Sequence, residues 1–356
     1  MRKAVIMAGG AGVRLWPLSR RSRPKQILRL FEGKSLLRQS YERVSAVLPS
    51  DAIFVITNHT HLPFVAEELP ELPTENLIGE PVGRDTAAAV ALSAAVLHER
   101  DPDAVIGVFT ADHIITPIDR FAAAVEKAYA TAEDNPESLV TFGIKPNRPD
   151  TQYGYIRKGD CVADGVYEVK KFTEKPRLGS AMKYVASGEY FWNSGMFAWK
   201  APAILAQLEK HLRPTHDAAR EIAAAWDTDQ RAATLKRLYP SLMRISIDFA
   251  VMERAERVLA VEMDCTWVDV GSWPALESVV EADTDGNVSA CENVVHLGSR
   301  GNIVVAETDH LIATIGVDDL VIVHAPDATL ICKKRDAQGI KELVDNINQR
   351  YGDRYK

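Results

Sequence analysis

A short apolar run that breaks into glycine and then into positive charge decides how this chain begins to fold. Ala4 to Met7 is strand-like; Gly9, Gly10 and Gly12 follow, with Arg14, Arg20, Arg21, Arg23 and Lys25 behind them. Between Arg2 and Lys34 there are nine basic residues and one acidic residue, Glu32, in a chain of net charge −7. Glycine lets backbone N–H groups turn toward an anion with no Cβ in the way, and arginine and lysine add the charge. The segment Ala8 to Gln26 therefore reads as a polyphosphate cradle at the carboxyl end of the first strand of an α/β sheet. Two better-known phosphate patterns do not account for it. The third glycine of G-x-G-x-x-G would fall on Leu15, and the first glycine of a P-loop ending in Gly33-Lys34-Ser35 would fall on Leu28. Glycines that only turn a loop leave five cations unexplained.

A length of 356 residues suffices for one large core and a smaller second unit. Hydrophobic content of 46% and charged content of 26% are those of a soluble globular enzyme. The negative net charge argues against a nucleic-acid or anionic-membrane binder. Met1-Arg2-Lys3 before an apolar stretch has the form of a signal peptide, but Ala4–Ala8 is too short for its apolar core. The longest apolar helical stretch, Ala87 to Leu97, is far below membrane-spanning length. Cys161, Cys265, Cys291 and Cys332 form no C-x-x-C pair and read as reduced cysteines of a cytoplasmic protein.

Strand-like and helical patterns alternate through the first half: strands at 3–8, 52–57, 76–79 and 104–110, helices at 35–48 and 85–98. Thr116-Pro117-Ile118-Asp119 has the form of a helix start with Thr116 as cap, and Ile118, Phe121, Ala122, Val125 and Tyr129 would form its buried stripe. Such alternation predicts a mostly parallel sheet covered on both faces, with ligands at the carboxyl ends of its strands. Strands at 139–143, 154–158 and 166–173 bring antiparallel pairing, and helices follow near 178–186, 201–211, 215–226 and 228–238. Ser272 is expected to cap a last helix, 272–280. The polar run from Glu281 to Asn287 is the best boundary, dividing the chain into 1–285 and 286–356. Short strands at 292–297, 302–306, 310–315, 320–324 and 329–332 then suggest a small β-helix. A helix at 336–348 closes the chain, with Ile340, Leu343, Val344 and Ile347 inward. Ile303, Val305, Leu311, Ile315, Val321 and Val323 would give the tail apolar faces for the main domain or for a second subunit.

Several residues carry chemistry in the pattern. Asp112, in T-A-D-H, and Asp269, in W-V-D-V-G-S-W, stand at strand ends and suit Mg²⁺, which takes carboxylate and phosphate oxygens; equally, each suits a cap or a turn. His113 fits a hydrogen-bonded turn better than a metal site. Phe172-Thr173-Glu174-Lys175-Pro176 offers an ammonium for a phosphate and a carboxylate for sugar hydroxyls, or a solvated pair at a turn. Gly154 and Asn193 would line a sugar pocket or mark bulges. In Glu80-Pro81-Val82-Gly83-Arg84-Asp85-Thr86, a carboxylate from Glu80 or Asp85 matches the adjacent N1–H and 2-amino donors of guanine, and Arg84 its O6 or a phosphate. Asp85 or Thr86 would also cap the alanine-rich helix.

Taken in order, R-L-W-P-L-S-R with P-K-Q, E-P-V-G-R-D-T, T-A-D-H, F-T-E-K-P, W-N-S-G-M-F, S-I-D-F-A-V-M-E and W-V-D-V-G-S-W resemble the sugar-1-phosphate nucleotidylyltransferases, most closely the mannose-1-phosphate guanylyltransferases. The resemblance runs from Lys3 to about Val280, and the β-rich tail suits it. Asp85 stands where the family often has Asn, and Thr110 where it has Pro. No cupin-sized segment follows residue 356 to match the family's longer members with an isomerase domain. The resemblance implies a Rossmann-like nucleotidyltransferase domain with a mostly parallel, partly mixed sheet, followed by the β-helix-like domain with its terminal helix. It implies that Ala8, Gly9, Gly10 and Gly12 line the triphosphate, with Glu80, Arg84, Asp85 and Thr86 at the base. Arg14 and Lys25 would contact phosphates, and Asp112 and Asp269 would hold Mg²⁺. Glu174, Gly154 and Asn193 would surround the sugar, Lys175 its phosphate, and Asp248 the pocket wall. The implied substrates are GTP and mannose 1-phosphate, the products GDP-mannose and pyrophosphate, and the expected assembly a homodimer. A sister enzyme with another base or sugar, and a non-catalytic GDP-sugar-binding subunit, are the alternatives.

Overall fold

Trp16, Leu18 and Leu28, which lie among the basic residues of the opening segment, are buried, so that segment is part of a core and not only a loop. The computed structural model describes residues 1–10, 12–31, 33–307 and 309–356. The chain forms two compact units. Met1–Gly9, Tyr41–Thr110 and Ile115–Thr266 make the first; Gly10–Ser40, Ala111–Ile114 and Trp267–Lys356 make the second.

The strands up to the tail are β1 (Arg2–Met7), β2 (Ile53–Asn58), β3 (Leu77–Glu80), β4 (Val105–Thr110), β5 (His113–Thr116), β6 (Leu139–Ile144), β7 (Tyr155–Ala163), β8 (Val166–Thr173), β9 (Tyr190–Lys200), β10 (Val258–Glu262) and β11 (Thr266–Asp269). In the first unit nine of them form a sheet in the order β3-β2-β1-β4-β9-β6-β10-β8-β7. β1, β2, β3 and β4 run parallel; β9 is antiparallel to β4 and β6, and the β7–β8 hairpin closes one edge. The α/β class with a partly mixed sheet is thus as the sequence indicates. The order 3-2-1-4 places the reversal of winding between β1 and β4, where Met7 lies opposite Thr110. Chain leaving these two strand ends runs into the glycine loop and into Asp112.

The helix Asp85–Arg100 is the centre of the first unit's core. Every residue from Ala87 to Leu97 is buried, as expected of a helix apolar on all sides. Its alanines admit close approach by the helices Ala201–His211 and Arg213–Ala224. No helix among the described residues is long and apolar enough to cross a membrane.

The second unit holds β12 (Val288–Ala290), β13 (Val294–Leu297), β14 (Ile303–Ala306), β15 (Ile312–Ile315), β16 (Leu320–Ala325) and β17 (Ala328–Lys333). β12, β14 and β16 are parallel neighbours, as are β13 and β15, which is the stacked pattern of a β-helix. Two asparagines tie successive turns: Asn302 Nδ2 donates to Asn287 Oδ1 (2.9 Å) and to the Val317 carbonyl (2.8 Å). One core joins this stack to the opening segment: Leu15, Trp16, Leu18, Leu28 and Leu30 pack with Val288, Ile303, Val305, Val321, Val323, Trp273 and the terminal-helix residues Ile340 and Val344. Trp273 is wholly buried and its indole N–H donates to the Trp16 carbonyl at 3.1 Å. Replacing it by alanine is expected to cost about 3–5 kcal/mol of stability, read as a lower urea midpoint.

Several local expectations are corrected. Thr116 belongs to β5, and Pro117 is the N-cap of the helix Ile118–Asp134, with no side-chain cap. Ile118 is exposed, because the first turn projects beyond the sheet-facing stripe of Phe121, Val125 and Tyr129. Residues after Ser272 form a 3-10 turn, Trp273–Ser278, rather than an α-helix, and Ser272 makes no cap bond. With three residues per turn, Trp273 and Leu276 fall on one side, and both are buried. The closing helix is Ile340–Tyr351, with Leu343 outward. In the tail, Ile303, Val305, Val321 and Val323 are inside, but Leu311 and Ile315 are exposed: β15 buries alternate residues, Ile312 and Thr314.

Candidate active site

Lys25 stands at the start of the 3-10 turn Lys25–Ile27, and its ammonium forms an ion pair with Asp112 Oδ2. Both side chains are largely enclosed, 12% and 20% exposed. Burial favours neutral Lys25, but the Asp112 and Asp269 carboxylates outweigh that and push its pKa above the ordinary lysine value. Burial likewise works against charged Asp112, and Lys25, with His113 and a backbone hydrogen bond, more than offsets it, so that its carboxyl lies below the usual range. Gly12 explains how the loop comes so close. At φ +57° a Cβ there would lie 2.6 Å from Lys25 Cβ and 2.7 Å from Ser19 Oγ, so only glycine fits. Gly10, at φ +98°, turns the backbone at the start of the same loop. Arg14 is exposed in the turn Val13–Leu15 and near enough to Lys25 to act against its positive charge.

His113 joins the two carboxylates. Its Nε2 faces Asp112 Oδ1 at 3.7 Å and Asp269 Oδ1 at 4.0 Å, while Nδ1 lies 3.1 Å from Trp267 Nε1. An indole N–H only donates, so Nδ1 is the acceptor and the ring proton sits on Nε2, pointing at the carboxylates. At those distances His113 makes no direct hydrogen bond to either carboxylate, and with Nδ1 taken by Trp267 its N–H edge, not a free lone pair, faces them. No cluster of three or more His, Cys, Asp or Glu side chains suited to a metal occurs among the described residues. Asp112 Oδ1 and Asp269 instead offer two hard oxygen donors, a set that fits Mg²⁺ completed by water and phosphate.

Arg20, Arg21 and Arg23, counted with the cradle from sequence, lie elsewhere. Arg20 pairs with Asp327 at 2.7 Å, Arg21 with Asp353 at 3.1 Å, and Arg23 with Glu307. These ion pairs fasten the opening segment to the β-rich tail. Ala8 is also less available than the glycine pattern suggests. Its N–H donates to Ile56 O (2.8 Å), and its carbonyl accepts from Thr57 Oγ1 (2.7 Å).

In the first unit, Glu80 ends β3 almost wholly buried, and Oε1 accepts the Tyr239 hydroxyl. Burial raises its pKa, the Tyr239 bond acts the other way, and nearby Asp85 adds to the rise. Arg84 donates to the Pro240 carbonyl. Asp85, exposed at φ +66°, accepts the Thr86 N–H on Oδ1 at 2.8 Å, and Thr86 Oγ1 accepts the Ile247 N–H at 2.8 Å. The helix N-cap itself is Arg84, so neither Asp85 nor Thr86 fills the cap position expected of it.

A second constellation in that unit gathers Gly154, Glu174, Lys175, Asn193 and Asp248. Asn193 Nδ2 donates to Asp248 Oδ1 at 2.8 Å, and its Oδ1 accepts from Gly195 N at 3.1 Å. Glu174 Oε1 pairs with Lys175 Nζ at 3.0 Å, whereas Oε2 is buried with no protein partner. A Cβ on Gly154 would collide with that oxygen. A buried carboxylate oxygen held open in this way asks for a hydroxyl donor. Lys175 takes φ +46° immediately before Pro176, a backbone conformation found at ligand sites. Asp248 is pushed up to about 7 by burial and by the Glu174 charge, with Asn193 opposing. It begins a single π-type turn, Asp248–Met252. Sequence reasoning gives Asp248 no role beyond the wall and passes over Tyr239, which sits in R-L-Y-P-S with nothing to mark it.

The Nucleotidyl transferase family model matches residues 3–286. The chain belongs to the nucleotidyl transferase family. A MannoseP isomerase/GMP-like beta-helix domain model matches residues 292–347 of the same chain. This nucleotidyl transferase is 42% identical over 353 residues to the mannose-1-phosphate guanylyltransferase of Escherichia coli K12, covering 96% of the chain and 73% of that relative. It is 40% identical to the xanthan biosynthesis protein XanB of Xanthomonas campestris, covering 96% and 72%. A crystal structure from Thermus thermophilus, described as a "mannose-1-phosphate geranyltransferase", superposes with a TM-score of 0.89 at 35% identity, over 98% of this chain and 99% of that one. These three span both the sheet-bearing part and the β-helix.

Proposed function

We propose that this nucleotidyl transferase makes GDP-mannose and pyrophosphate from GTP and mannose 1-phosphate. The observation that carries the reading is the enclosed Lys25–Asp112 pair held against Gly12, with Asp269 across His113. It is supported by relatives named for that reaction over nearly the whole chain. In the mechanism, a phosphate oxygen of the sugar phosphate attacks the α-phosphorus of GTP in line, and pyrophosphate leaves on the opposite side. The attacking group is already an anion, so no general base and no covalent enzyme intermediate are required. Catalysis is then positioning and charge neutralisation.

In this reading Lys25 stabilises the α-phosphate, Arg14 the departing pyrophosphate, and Lys175 the incoming phosphate. Gly9, Gly10 and Gly12 turn the backbone around the triphosphate. Ala8 supports that loop through its bonds to β2 rather than donating to phosphate. Glu80 meets the base, with Asp85 and Thr86 shaping the loop and Arg84 fixing it from the Pro240 carbonyl. Glu174 and Asn193 take sugar hydroxyls beside Gly154. Asp112 and Asp269 would hold Mg²⁺, which when bound supplies positive charge to the phosphates. Residues 1–285 form the catalytic domain and 286–356 the β-rich domain. We propose a cytoplasmic location and a homodimer, the latter supported by Val295, Leu297 and Ile315, which are exposed on β13 and β15.

The test is pyrophosphate release with mannose 1-phosphate, comparing GTP with ATP, UTP and dTTP, with and without EDTA. Release selective for GTP and abolished by EDTA is the expected result. Release with a different nucleotide moves the base specificity and leaves the mechanism; none with any nucleotide removes the enzyme reading.

A further inference from the structure

The loop that begins at Glu80 is held by a segment that the reaction above does not employ. After the helix Arg231–Leu238 the chain turns through Tyr239–Ser241 and runs on to Ile247. It bonds to the loop at four points. The Tyr239 hydroxyl donates to Glu80 Oε1, and Arg84 donates to the Pro240 carbonyl. The Ala87 N–H donates to the Ile245 carbonyl at 3.2 Å, and the Ile247 N–H to Thr86 Oγ1 at 2.8 Å. Three of these bonds fix the course of the loop. The first one alone reaches the Glu80 carboxylate.

Tyr239 is 0% exposed and Glu80 6%, so their bond lies where water does not compete and where a lost partner is costly. With Oε1 engaged by Tyr239, the carboxyl group cannot turn freely about its last bond. Oε2 is then the oxygen on the Gly9 side, 4.0 Å from where a Cβ on that glycine would stand. Burial favours the protonated acid, and the Tyr239 hydroxyl opposes it. The same bond thus aims Glu80 and helps keep it an acceptor, which is the form that two adjacent N–H donors require.

We infer that Tyr239 is a positioning residue for base selection, fixing the Glu80 carboxylate to accept the N1–H and 2-amino donors of guanine. The inference rests on the reading in which Glu80 meets the base. Tyr239 touches neither substrate nor metal in this account; it acts through Glu80.

The test uses the full chain with Tyr239→Phe, which keeps the buried ring and removes only the hydroxyl, and with Glu80→Gln in parallel. KM and kcat are measured for GTP and for inosine triphosphate, which keeps N1–H and lacks the 2-amino group. Tyr239→Phe is expected to raise KM for GTP about tenfold, the size of one lost hydrogen bond to a charged group. Its kcat should stay within about twofold, and its preference for GTP over inosine triphosphate should shrink, because the penalty falls on the two-donor contact. A merely structural role would raise KM equally for both nucleotides, and that result overturns the inference. Should Glu80→Gln collapse the preference while Tyr239→Phe leaves it intact, Tyr239 is not the positioning group and the base reading survives. Should neither variant alter it, Glu80 does not read the base and both ideas fall.

Discussion

Alanine at Lys25 is expected to lower turnover by roughly 10²–10³-fold, the loss seen when one preorganised electrostatic donor is removed from a transition state. The reaction brings a sugar phosphate up to a triphosphate, so repulsion between anions is the barrier the protein must offset. Lys25 suits that task because its charge is secured: enclosed and paired with Asp112, with the Asp269 charge adding to the effect, it is held protonated above the ordinary lysine range. The ion pair keeps the ammonium in place before substrate arrives, and so little reorganisation remains for the reaction itself. Removing the side chain also strands Asp112 in an enclosed site, a loss that on its own costs about 3–5 kcal/mol of stability. The two effects separate by measuring pyrophosphate release at a temperature where the variant is folded by circular dichroism. A folded Lys25→Ala protein turning over near the parent rate would remove Lys25 from the mechanism. Lys25→Arg is not expected to restore activity, because Gly12 leaves no room around the Lys25 Cβ for the chain to shift and seat a planar fork.

How much of this is legible in the sequence depends on the distance over which each signal acts. The alternation of strands and helices is local, and it yields β1 to β4 and the alanine-rich helix nearly to their observed ends. The long β9 escapes a reading by pattern, because its Tyr190–Lys200 run is buried almost throughout and shows no two-residue alternation. Glu80, Asp112 and Glu174 stand out because each lies at or just past a strand end, and Lys25 and Asn193 because they sit in the P-K-Q and W-N-S-G-M-F motifs. Arg20, Arg21 and Arg23 mislead for the converse reason. Charge close in sequence suggests charge close to a phosphate, yet their partners Asp327, Asp353 and Glu307 lie about 280–330 residues away along the chain. Tyr239 carries no local signal; its meaning arises only from the Glu80 oxygen it meets 159 positions earlier. Composition likewise hints that the tail has apolar faces but not which residues face in, since β14 is buried throughout while β15 buries only alternate residues.

Asparagine at Asp269 is expected to raise the Mg²⁺ concentration for half-maximal activity tenfold or more, about what loss of a supporting contact to a metal ligand already costs. At a fixed low Mg²⁺ concentration turnover falls accordingly, and it recovers as Mg²⁺ is added. Asp269 is the cleaner of the two carboxylates to change. Asp112 also holds Lys25, so its substitution removes an ion pair along with a candidate ligand. Asp269 has 36% of its side chain exposed, and its interaction with His113 is a distant one at 4.0 Å. An amide of the same shape therefore leaves the Trp267–His113 bond in place, and thermal unfolding without metal should be unchanged within about a degree. The ammonium of Lys25 gains nothing from the new amide and loses one of the two negative charges that raise its pKa. That secondary effect does not respond to Mg²⁺, so any part of the loss that persists at saturating metal measures it. An unaltered Mg²⁺ requirement in a folded Asp269→Asn protein would leave Asp112 as the sole carboxylate at the phosphates, and the two-carboxylate metal site would have to be given up.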